Sequence, residues 1–267
     1  ELFRNGWNCS FAVVPDKYAE FLRLLKMLHS GDACGIFIVG YVPPEYVNAA
    51  LYQFINVVLV DYPGGPELSR PFASVYCDNA FGSSLAVKHL LGLGRKRIAL
   101  IHGPEDHYFT RDILSGYRAS LHEHSIPFDP GLCLMGNWHV ASGYSAVRRA
   151  LDSGIEFDAV FSNDEMACGA MRAISEAGLK IPEDVAVVGF DGIPLGEAVN
   201  PALTTVAVDR HKMARLAVRR FESLRGPGKG KDEFFQRTSF FPELVIRESC
   251  GANKRAERPS GQVAIHE

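Results

Sequence analysis

Two polar side chains, Asn163 and Asp191, are the clearest candidates in this sequence for contact with a ligand. Each comes directly after a short apolar run, residues 157–161 for the first and residues 185–190 for the second. Such uninterrupted apolar runs are typical of strands that are buried on both faces of a parallel sheet. A carboxylate accepts hydrogen bonds from two hydroxyl groups, and an amide both donates and accepts. The pair therefore suits a ligand that carries several hydroxyl groups.

The segment between these two strands predicts a helix, which explains why the polar residues should lie close together. Apolar side chains recur near helical spacing over residues 166–177, and a glycine and then a proline follow. In a right-handed strand–helix–strand unit both strands end at the same edge of the sheet, where open α/β sheets bind ligands. We therefore expect Asn163, Asp164 and Asp191 to line one edge. Helix capping is the alternative role for Asn163 and Asp164, because both residue types favour that position.

Four further side chains have types and places that suit a ligand. Trp138 lies between a predicted strand and a predicted helix, where an aromatic ring can stack on a sugar or a base, and a core or hinge position is its alternative. A helix is predicted over residues 111–123, and Arg111, where the preceding loop enters it near the same edge, could hold hydroxyls or a carboxylate in a bidentate fork. Asp61 ends a predicted strand before a Pro-Gly-Gly turn, so starting that turn is its alternative role. Asp78 lies where the chain is expected to cross between lobes.

The sequence resembles the effector-binding core of the LacI/GalR family of bacterial repressors. Two long segments carry the resemblance, together with a PALTTV strand and the Asp209 that follows it: CDNAFGSSLAVKHLLGLGRKRIALIHGP and SNDEMACGAMRAISEAGLKIPEDVAVVGFD. The resemblance covers nearly all of residues 1–250, and its motifs are long and occur in the family's order. It implies that Asn163 and Asp191 contact the effector and that the aromatic ring of Trp138 covers it. Asp61 and Asp78 correspond to positions that can reach the ligand.

At one position the sequence departs from the family pattern. The family usually has its effector-binding arginine three residues before a glycine, which here is Gly116. That position holds Ile113 in this chain. Arg111, two residues upstream, is a candidate substitute for the missing arginine, and a surface role is the alternative.

Predicted strands and helices alternate along the chain, which indicates an α/β fold. The resemblance implies a two-lobed fold like that of type I periplasmic binding proteins, with a parallel sheet between helix layers in each lobe and three crossovers. We expect residues 1–77 and 208–241 to form the N-terminal lobe, and residues 78–207 and 242–250 to form the C-terminal lobe. Residues 251–267 are polar, without periodicity, and are predicted to be a loose tail.

The start of the sequence departs from the family as well. Strands are predicted at residues 11–14 and 35–39, but the resemblance implies an earlier strand that is central to the first sheet. We therefore expect these two strands to flank a gap. The family also has a helix-turn-helix headpiece and a hinge helix before that strand. Neither is found in this sequence, so operator DNA is expected to bind only through the missing headpiece.

Composition narrows the possible classes of function. The chain has 267 residues, of which 47% are hydrophobic and 22% are charged, which suits a soluble protein with two lobes. A net charge of −3 gives no sign of a strongly basic DNA-binding surface. No secretory signal and no apolar run of about 20 residues is visible. The six scattered cysteines are interpreted mostly as core residues in a reducing cytoplasm. We expect no metal and no cofactor, and GPGKGK at residues 226–231 lacks the spacing of a phosphate-binding loop.

The resemblance implies a function as the effector domain of a transcriptional regulator, which is not an enzyme. A small ligand, a sugar or sugar derivative, would bind between the lobes and alter the DNA affinity of the headpiece. The protein is expected to be cytoplasmic, homodimeric and independent of membranes. Two alternatives stay open. A solute-binding protein of a sugar transport system would share the fold but need a signal peptide, and a sugar-processing enzyme would need acid–base pairs that are not visible.

Overall fold

The structure, a computed structural model, describes residues 6–31, 33–54, 56–70, 72–224 and 236–252. The turn predicted at residues 226–231 and the part of the predicted tail after residue 252 lie outside the described residues. Within those ranges no helix has both the length and the apolar character needed to cross a membrane.

The described residues form helices and strands that alternate along most of the chain. The helices are α1 (Tyr18–Ser30), α2 (Pro44–Gln53), α3 (Asn79–Gly92), α4 (Tyr108–Glu123), α5 (Val140–Asp152), α6 (Asp164–Glu176), α7 (Leu195–Ala198) and α8 (Arg210–Leu224). The strands are β1 (Ile36–Val39), β2 (Val57–Val60), β3 (Ala73–Cys77), β4 (Ile98–His102), β5 (Cys133–Met135), β6 (Ala159–Phe161), β7 (Ala186–Asp191), β8 (Thr204–Ala207), β9 (Gln236–Phe240) and β10 (Glu243–Val245).

The chain folds into two compact units, each with its own sheet. Unit 1 takes its described residues from 1–77 and 209–240, and unit 2 takes its described residues from 78–208 and 241–267. The chain passes from one unit to the other three times, after residues 77, 208 and 240.

Unit 1 contains a parallel sheet with the strand order β1-β2-β3-β9. All four residues of β2 are buried, as expected for an inner strand of a parallel sheet. Helix α8 packs against β2 and β3. Its start at Arg210 is capped by Asp209, whose Oδ1 accepts a hydrogen bond from N of Lys212 at 2.7 Å.

The strand predicted at residues 11–14 is wrong. These residues form no strand, and Phe11 and Val13 are 92% and 91% exposed. In the described part of the sheet β1 pairs with β2 alone, so β1 is an edge strand there. The local apolar pattern predicted a strand, but an isolated extended segment is stable only when a neighbouring strand pairs with its backbone.

Unit 2 contains a six-stranded sheet with the order β10-β8-β7-β6-β4-β5. Five of these strands are parallel, and β10 joins the edge at β8 in the antiparallel direction. The inner strands are β4, β6, β7 and β8, and the first three of them are almost wholly apolar and buried. Because they run parallel, their carboxyl ends meet at one edge of the sheet.

Helices cover both faces of the unit 2 sheet, and β4 illustrates the alternation. Ala99 and Ile101 belong to a core that includes residues of α5 and α6. Ile98 and Leu100 point the other way, into a core that includes residues of α3 and α4. Successive side chains of a strand point to opposite faces, so a strand covered on both sides must be apolar throughout. The predicted fold class, parallel sheets covered by helices, is therefore confirmed.

All six cysteines lie among the described residues, and none of them forms a disulfide bond. Three of them, Cys77, Cys168 and Cys250, are buried, whereas Cys34 is exposed. The interpretation as core residues therefore holds for half of them.

Candidate functional site

A cavity opens at the carboxyl edge of the unit 2 sheet, where β4, β6 and β7 end. The space at this edge is partly open to solvent. Its lining comes from these strand ends, from α4 and from the segments after β5 and β6: Ile101, His102, Phe109, Thr110, Ile113, Trp138, Phe161, Ser162, Asn163 and Phe190. Two of the six residues predicted to bind ligand, Trp138 and Asn163, belong to this lining.

Helix α4 forms one wall of the cavity. Nδ1 of His107 accepts a hydrogen bond from N of Phe109 at 3.2 Å, so this imidazole caps the first turn. Successive residues of a helix are about 100° apart. Phe109, Thr110 and Ile113 therefore lie on one face, and all three line the cavity.

Arg111 is not brought into this lining. The sequence suggested a position between a loop and a helix, but α4 already begins at Tyr108. Within the helix Arg111 lies on the face opposite to Phe109, Thr110 and Ile113, and it is exposed. Ile113, at the position where the resemblance implied an arginine, is only 4% exposed and contributes an apolar side chain to the cavity wall.

Trp138 lies over the end of β4 in an unusual backbone conformation. Its φ of 73° is in the left-handed region, which bulky residues rarely adopt. The indole packs edge-on against His107 and Phe109, each with ring centroids 5.4 Å from its own. It also lies directly against Gly103, where an added Cβ would collide with the indole ring. The ring is thus held in the cavity wall by contacts on several sides.

Asn163 has both a capping role and a place in the cavity, so the two roles considered for it are compatible. Its Oδ1 accepts a hydrogen bond from N of Met166 at 3.1 Å, which caps α6. Its Nδ2 donates to the backbone O of Trp138 at 3.3 Å, which joins the two predicted site residues. An amide has two hydrogens and two lone pairs. One donor and one acceptor direction therefore stay available to a ligand.

Asp164 holds the turn that follows β7. Its carboxylate is fully buried and accepts from N of Ile193 at 2.8 Å and from Oγ1 of Thr205 at 2.6 Å. Burial raises the pKa of this carboxyl, although the bonds from Thr205 and Ile193 act in the opposite direction. The sequence suggested a helix cap for Asp164, but Asn163 is the cap and Asp164 links α6 to β8 and to the turn after β7.

Asp191, the last residue of β7, is at the start of that turn. Its φ of 114° is outside the regions that non-glycine residues favour. It is partly buried and directly follows Phe190, which lines the cavity, but Asp191 itself is not in the lining. It lies at the same edge of the sheet as Asn163 because β6 and β7 are adjacent and parallel.

The two remaining predicted residues lie elsewhere. Asp78 is in unit 2, where its Oδ1 accepts from N of Phe81 at 2.9 Å and caps α3. Asp61 is in unit 1, directly after β2, with a φ of 58°. Burial raises the pKa of Asp61 to about 6, against the lowering effect of Arg210. Neither residue lines the unit 2 cavity.

Sequence reasoning missed most of the cavity wall. The sequence contains a signal from which Phe161 and Phe190 could have been predicted as lining residues, because each is the last apolar residue before a predicted site residue. Phe109 and Thr110 had none, since the predicted start of α4 was too late to put them on its inner face. Within the described ranges no three His, Cys, Asp or Glu side chains are grouped so that they could hold a metal ion.

Known proteins are similar to this chain in sequence and in fold. A sequence model described as "Periplasmic binding protein-like domain" matches residues 87–250, more than half of the chain. The HTH-type transcriptional regulator AscG of Escherichia coli K12 is 35% identical over 183 residues, which are 68% of this chain and 53% of AscG. The HTH-type transcriptional repressor PurR of Vibrio atlanticus is 30% identical over 252 residues, 92% of this chain and 73% of that repressor. The chain thus spans about half the length of AscG.

Two solved structures are similar over almost the whole chain. A sugar-binding LacI-family regulator from Escherichia coli, in complex with phosphate, has a TM-score of 0.79 at 27% identity and is matched over 92% of this chain and 87% of its own. The regulator CelR in complex with cellobiose has a TM-score of 0.79 at 29% identity over 92% of this chain and 75% of its own. The chain therefore belongs to the LacI/GalR family of transcriptional regulators and carries that family's periplasmic-binding-protein-like domain.

Proposed function

We propose that this chain is the effector-sensing part of a LacI/GalR-type transcriptional regulator. In this proposal a small ligand, a sugar or sugar derivative, binds in the unit 2 cavity. Binding alters the affinity of a helix-turn-helix headpiece for operator DNA, and the protein acts as a homodimer. A ligand has this effect only if it binds the two states of the regulator with different affinities.

The observation that carries the proposal is the composition of the cavity. Aromatic rings of Phe109, Trp138 and Phe190 come together with the amide of Asn163 at the carboxyl edge of a parallel sheet. Binding sites for small molecules are mainly apolar and have a few polar groups that fix the orientation of the ligand. The apolar face of a sugar ring packs on aromatic side chains, while its hydroxyls need donors and acceptors such as this amide.

Backbone strain also supports a ligand site at this edge of the sheet. Among the described residues, four non-glycine residues have positive φ, and three of them are Asp61, Trp138 and Asp191. Strained conformations cost about 1–3 kcal/mol each and persist where the surrounding structure holds them, which is often at ligand sites. Trp138 and Asp191 both lie at the carboxyl edge of the unit 2 sheet, close to the ends of the strands that form the cavity.

The relatives support a sugar as the class of ligand. CelR, which is 29% identical, was solved as a complex with cellobiose. The Escherichia coli regulator with 27% identity is described as sugar-binding.

A thermal-shift screen of sugars and polyols, starting with cellobiose, tests the proposal. A ligand at 100 times its dissociation constant should stabilise the protein by about 2.7 kcal/mol. The intrinsic fluorescence of Trp138 should change on saturation in a Trp7→Phe background, which removes the other of the two tryptophans. Chromatography of the ligand after incubation should recover it unchanged, and sedimentation velocity should detect a dimer.

Three results would contradict the proposal. Conversion of the ligand into a product would favour an enzyme. Binding without any change in Trp138 fluorescence would move the site away from this cavity. A ligand that binds but leaves the operator affinity of the headpiece-bearing regulator unchanged would remove the sensing role.

A further inference from the structure

The cavity wall has no side chain of fixed charge. None of its lining side chains is a lysine, arginine, aspartate or glutamate. On α4, the wall is formed by Phe109, Thr110 and Ile113, and Ile113 is 4% exposed. A charged group that enters such a wall loses water without gaining an opposite charge, which is strongly unfavourable.

The charged and titratable groups at the start of α4 are directed away from the cavity or already bonded. Arg111 is exposed on the opposite face of α4. Oδ2 of Asp112 accepts from Nδ2 of Asn79 at 3.4 Å, in the contact of α4 with α3. Burial lowers the pKa of His107, so its imidazole is neutral near pH 7, and its Nδ1 is occupied by N of Phe109. No cation on α4 is therefore directed at a ligand in the cavity.

The hydroxyl of Thr110 is the unusual polar group in this wall. Thr110 is fully buried, and its Oγ1 has no hydrogen-bond partner among the described residues. Ser162, in the same wall, donates from Oγ to O of Ile101 at 2.9 Å, so its hydroxyl is already paired. A buried hydroxyl without a partner is costly, and such groups are rare in folded proteins. A partner for Thr110 can enter through the cavity that it lines.

We propose that the cavity takes an uncharged ring-shaped ligand, with its apolar face against Phe109 and Trp138 and a polar edge hydrogen-bonded to Oγ1 of Thr110. The amide of Asn163 binds the same polar edge. Sugars with a carboxylate or a phosphate on the ring that enters are excluded. The inference rests on the proposed function and specifies the class of ligand and one more contact residue.

The state of the Thr110 hydroxyl is tested without any ligand. Thr110→Val replaces an unpaired hydroxyl by a methyl group of the same shape, so the melting temperature should rise by about 2 °C. Thr205→Val is the matched control, because Thr205 is also fully buried but donates to Oδ1 of Asp164 at 2.6 Å. Its melting temperature should fall. If Thr110→Val lowers the melting temperature as Thr205→Val does, the hydroxyl already has a partner and the proposal is overturned.

Titration calorimetry with matched sugars tests the class of ligand. The pairs are glucose with glucuronate and ribose with ribose 5-phosphate. The neutral member of at least one pair should bind about tenfold or more tightly than its anionic partner, since an unpaired charge in the wall costs more than one hydrogen bond. Thr110→Val should lower the affinity for that neutral sugar about tenfold, because one hydrogen bond to the ligand is lost. Ser120→Ala should not, because Ser120 is on the same helix outside the lining, bonded to O of Gly116 at 2.8 Å.

The outcomes separate the two proposals. Equal or tighter binding of the anionic members would overturn the inference and leave the sugar-sensing function standing. Unchanged affinity in Thr110→Val would overturn the role of the hydroxyl. Binding of no member of the panel would count against the sugar-sensing function itself, and the inference would fall with it.

Discussion

At the scale of single residues, Trp138 is the side chain whose position depends most on one neighbour. Its backbone is in the left-handed region, and its indole lies against Gly103, His107 and Phe109. The absence of a side chain at residue 103 is what lets the ring lie in the cavity wall. A small change at this glycine should therefore affect the proposed ligand site without changing the fold.

Gly103→Ala should displace the indole of Trp138, because the added methyl would occupy the same space as the ring. We expect a shifted tryptophan emission spectrum in the Trp7→Phe background and at least about tenfold weaker binding of any sugar found by screening, a loss of about 1.4 kcal/mol. Gly92→Ala is the matched control, since no atom lies within 4 Å of a Cβ added there. An unchanged emission spectrum in Gly103→Ala would mean that the ring is not held by this contact.

Asp61 supports a prediction about pH. Burial raises its folded-state pKa to about 6, well above the usual value for an aspartate. The folded chain therefore binds a proton more readily than the unfolded chain does, and this residue favours folding below about pH 4 and loses that effect as the pH rises through 6. Asp61→Asn, which tolerates the φ of 58°, should raise the free energy of unfolding by about 1 kcal/mol at neutral pH.

Urea denaturation at about pH 7 and about pH 4 measures this effect. The gain should be present at the higher pH and much smaller at the lower one, where the aspartate is protonated in the folded chain and about half protonated in the unfolded chain. A loss of stability at neutral pH would show that the charged carboxylate has a favourable partner, and that Arg210 outweighs burial.

At the scale of elements, the caps of two helices shape the cavity. Asn163 caps α6 and at the same time bonds to the backbone O of Trp138. His107 caps α4 and packs against the indole of Trp138. Because both caps contact the same tryptophan, a change at the start of either helix should alter the position of Trp138 in the cavity wall.

The cap of α4 should respond to acid. Burial, with a smaller effect of Arg111 and an opposing effect of Asp106, lowers the pKa of His107 below its usual value. The unfolded chain is therefore protonated first as the pH falls below about 6.5, so the stability that the neutral imidazole provides is lost on acidification through this window. Protonated Nδ1 can no longer accept from N of Phe109, which opens the first turn of α4.

His107→Asn tests this, since asparagine also caps helices but does not titrate. The decrease in the free energy of unfolding between about pH 7 and about pH 5 should be smaller in the variant. It should not vanish, because burial lowers the pKa of His89 as well. An equally steep decrease in wild type and variant would exclude His107 as a titrating cap.

At the scale of the whole molecule, the two units differ in how many large side chains they bury completely. Of the twelve largest fully buried side chains in the described part, ten belong to unit 2, and only Leu25 and Leu59 belong to unit 1. In the described part of unit 1, β1 is an edge strand whose Val39 is 69% exposed. The strands that form the cavity wall lie in the better-packed unit.

Hydrogen exchange should therefore be slower in unit 2. We expect amides of β4, β6 and β7 to exchange only through global unfolding of the unit, whereas amides of β1 and α1 should exchange through local opening. Mass spectrometry of peptides from each unit measures this difference, and a sugar that binds the cavity should protect α4 further. Equal protection of β1 and β4 would mean that the edge of β1 is covered.

Sequence reasoning succeeded where the signal is local. The polar residues after two buried apolar runs indicated the edge of the sheet at which Asn163 lies. Strand ends and helix starts can be recognised from residue types within a few positions of the boundary. It failed for residues 11–14, whose apolar pattern suits a strand but whose pairing depends on distant segments. The start of α4 was predicted three residues too late, and with the observed start at Tyr108 the side chain of Arg111 lies on the face opposite to the cavity lining.

The sequence by itself determined the α/β class, the order of most strands and helices, and the sheet edge at which Asn163 and Asp191 lie. These follow from periodicity, from glycine and proline positions and from polar residues at strand ends, all of which act over short stretches of chain. Only the tertiary structure decided that Thr110 is buried without a partner and that Ile113 forms part of an uncharged wall. Those properties depend on how α4 is rotated against the ends of β4, β6 and β7, and that rotation is determined by packing between residues far apart in the chain.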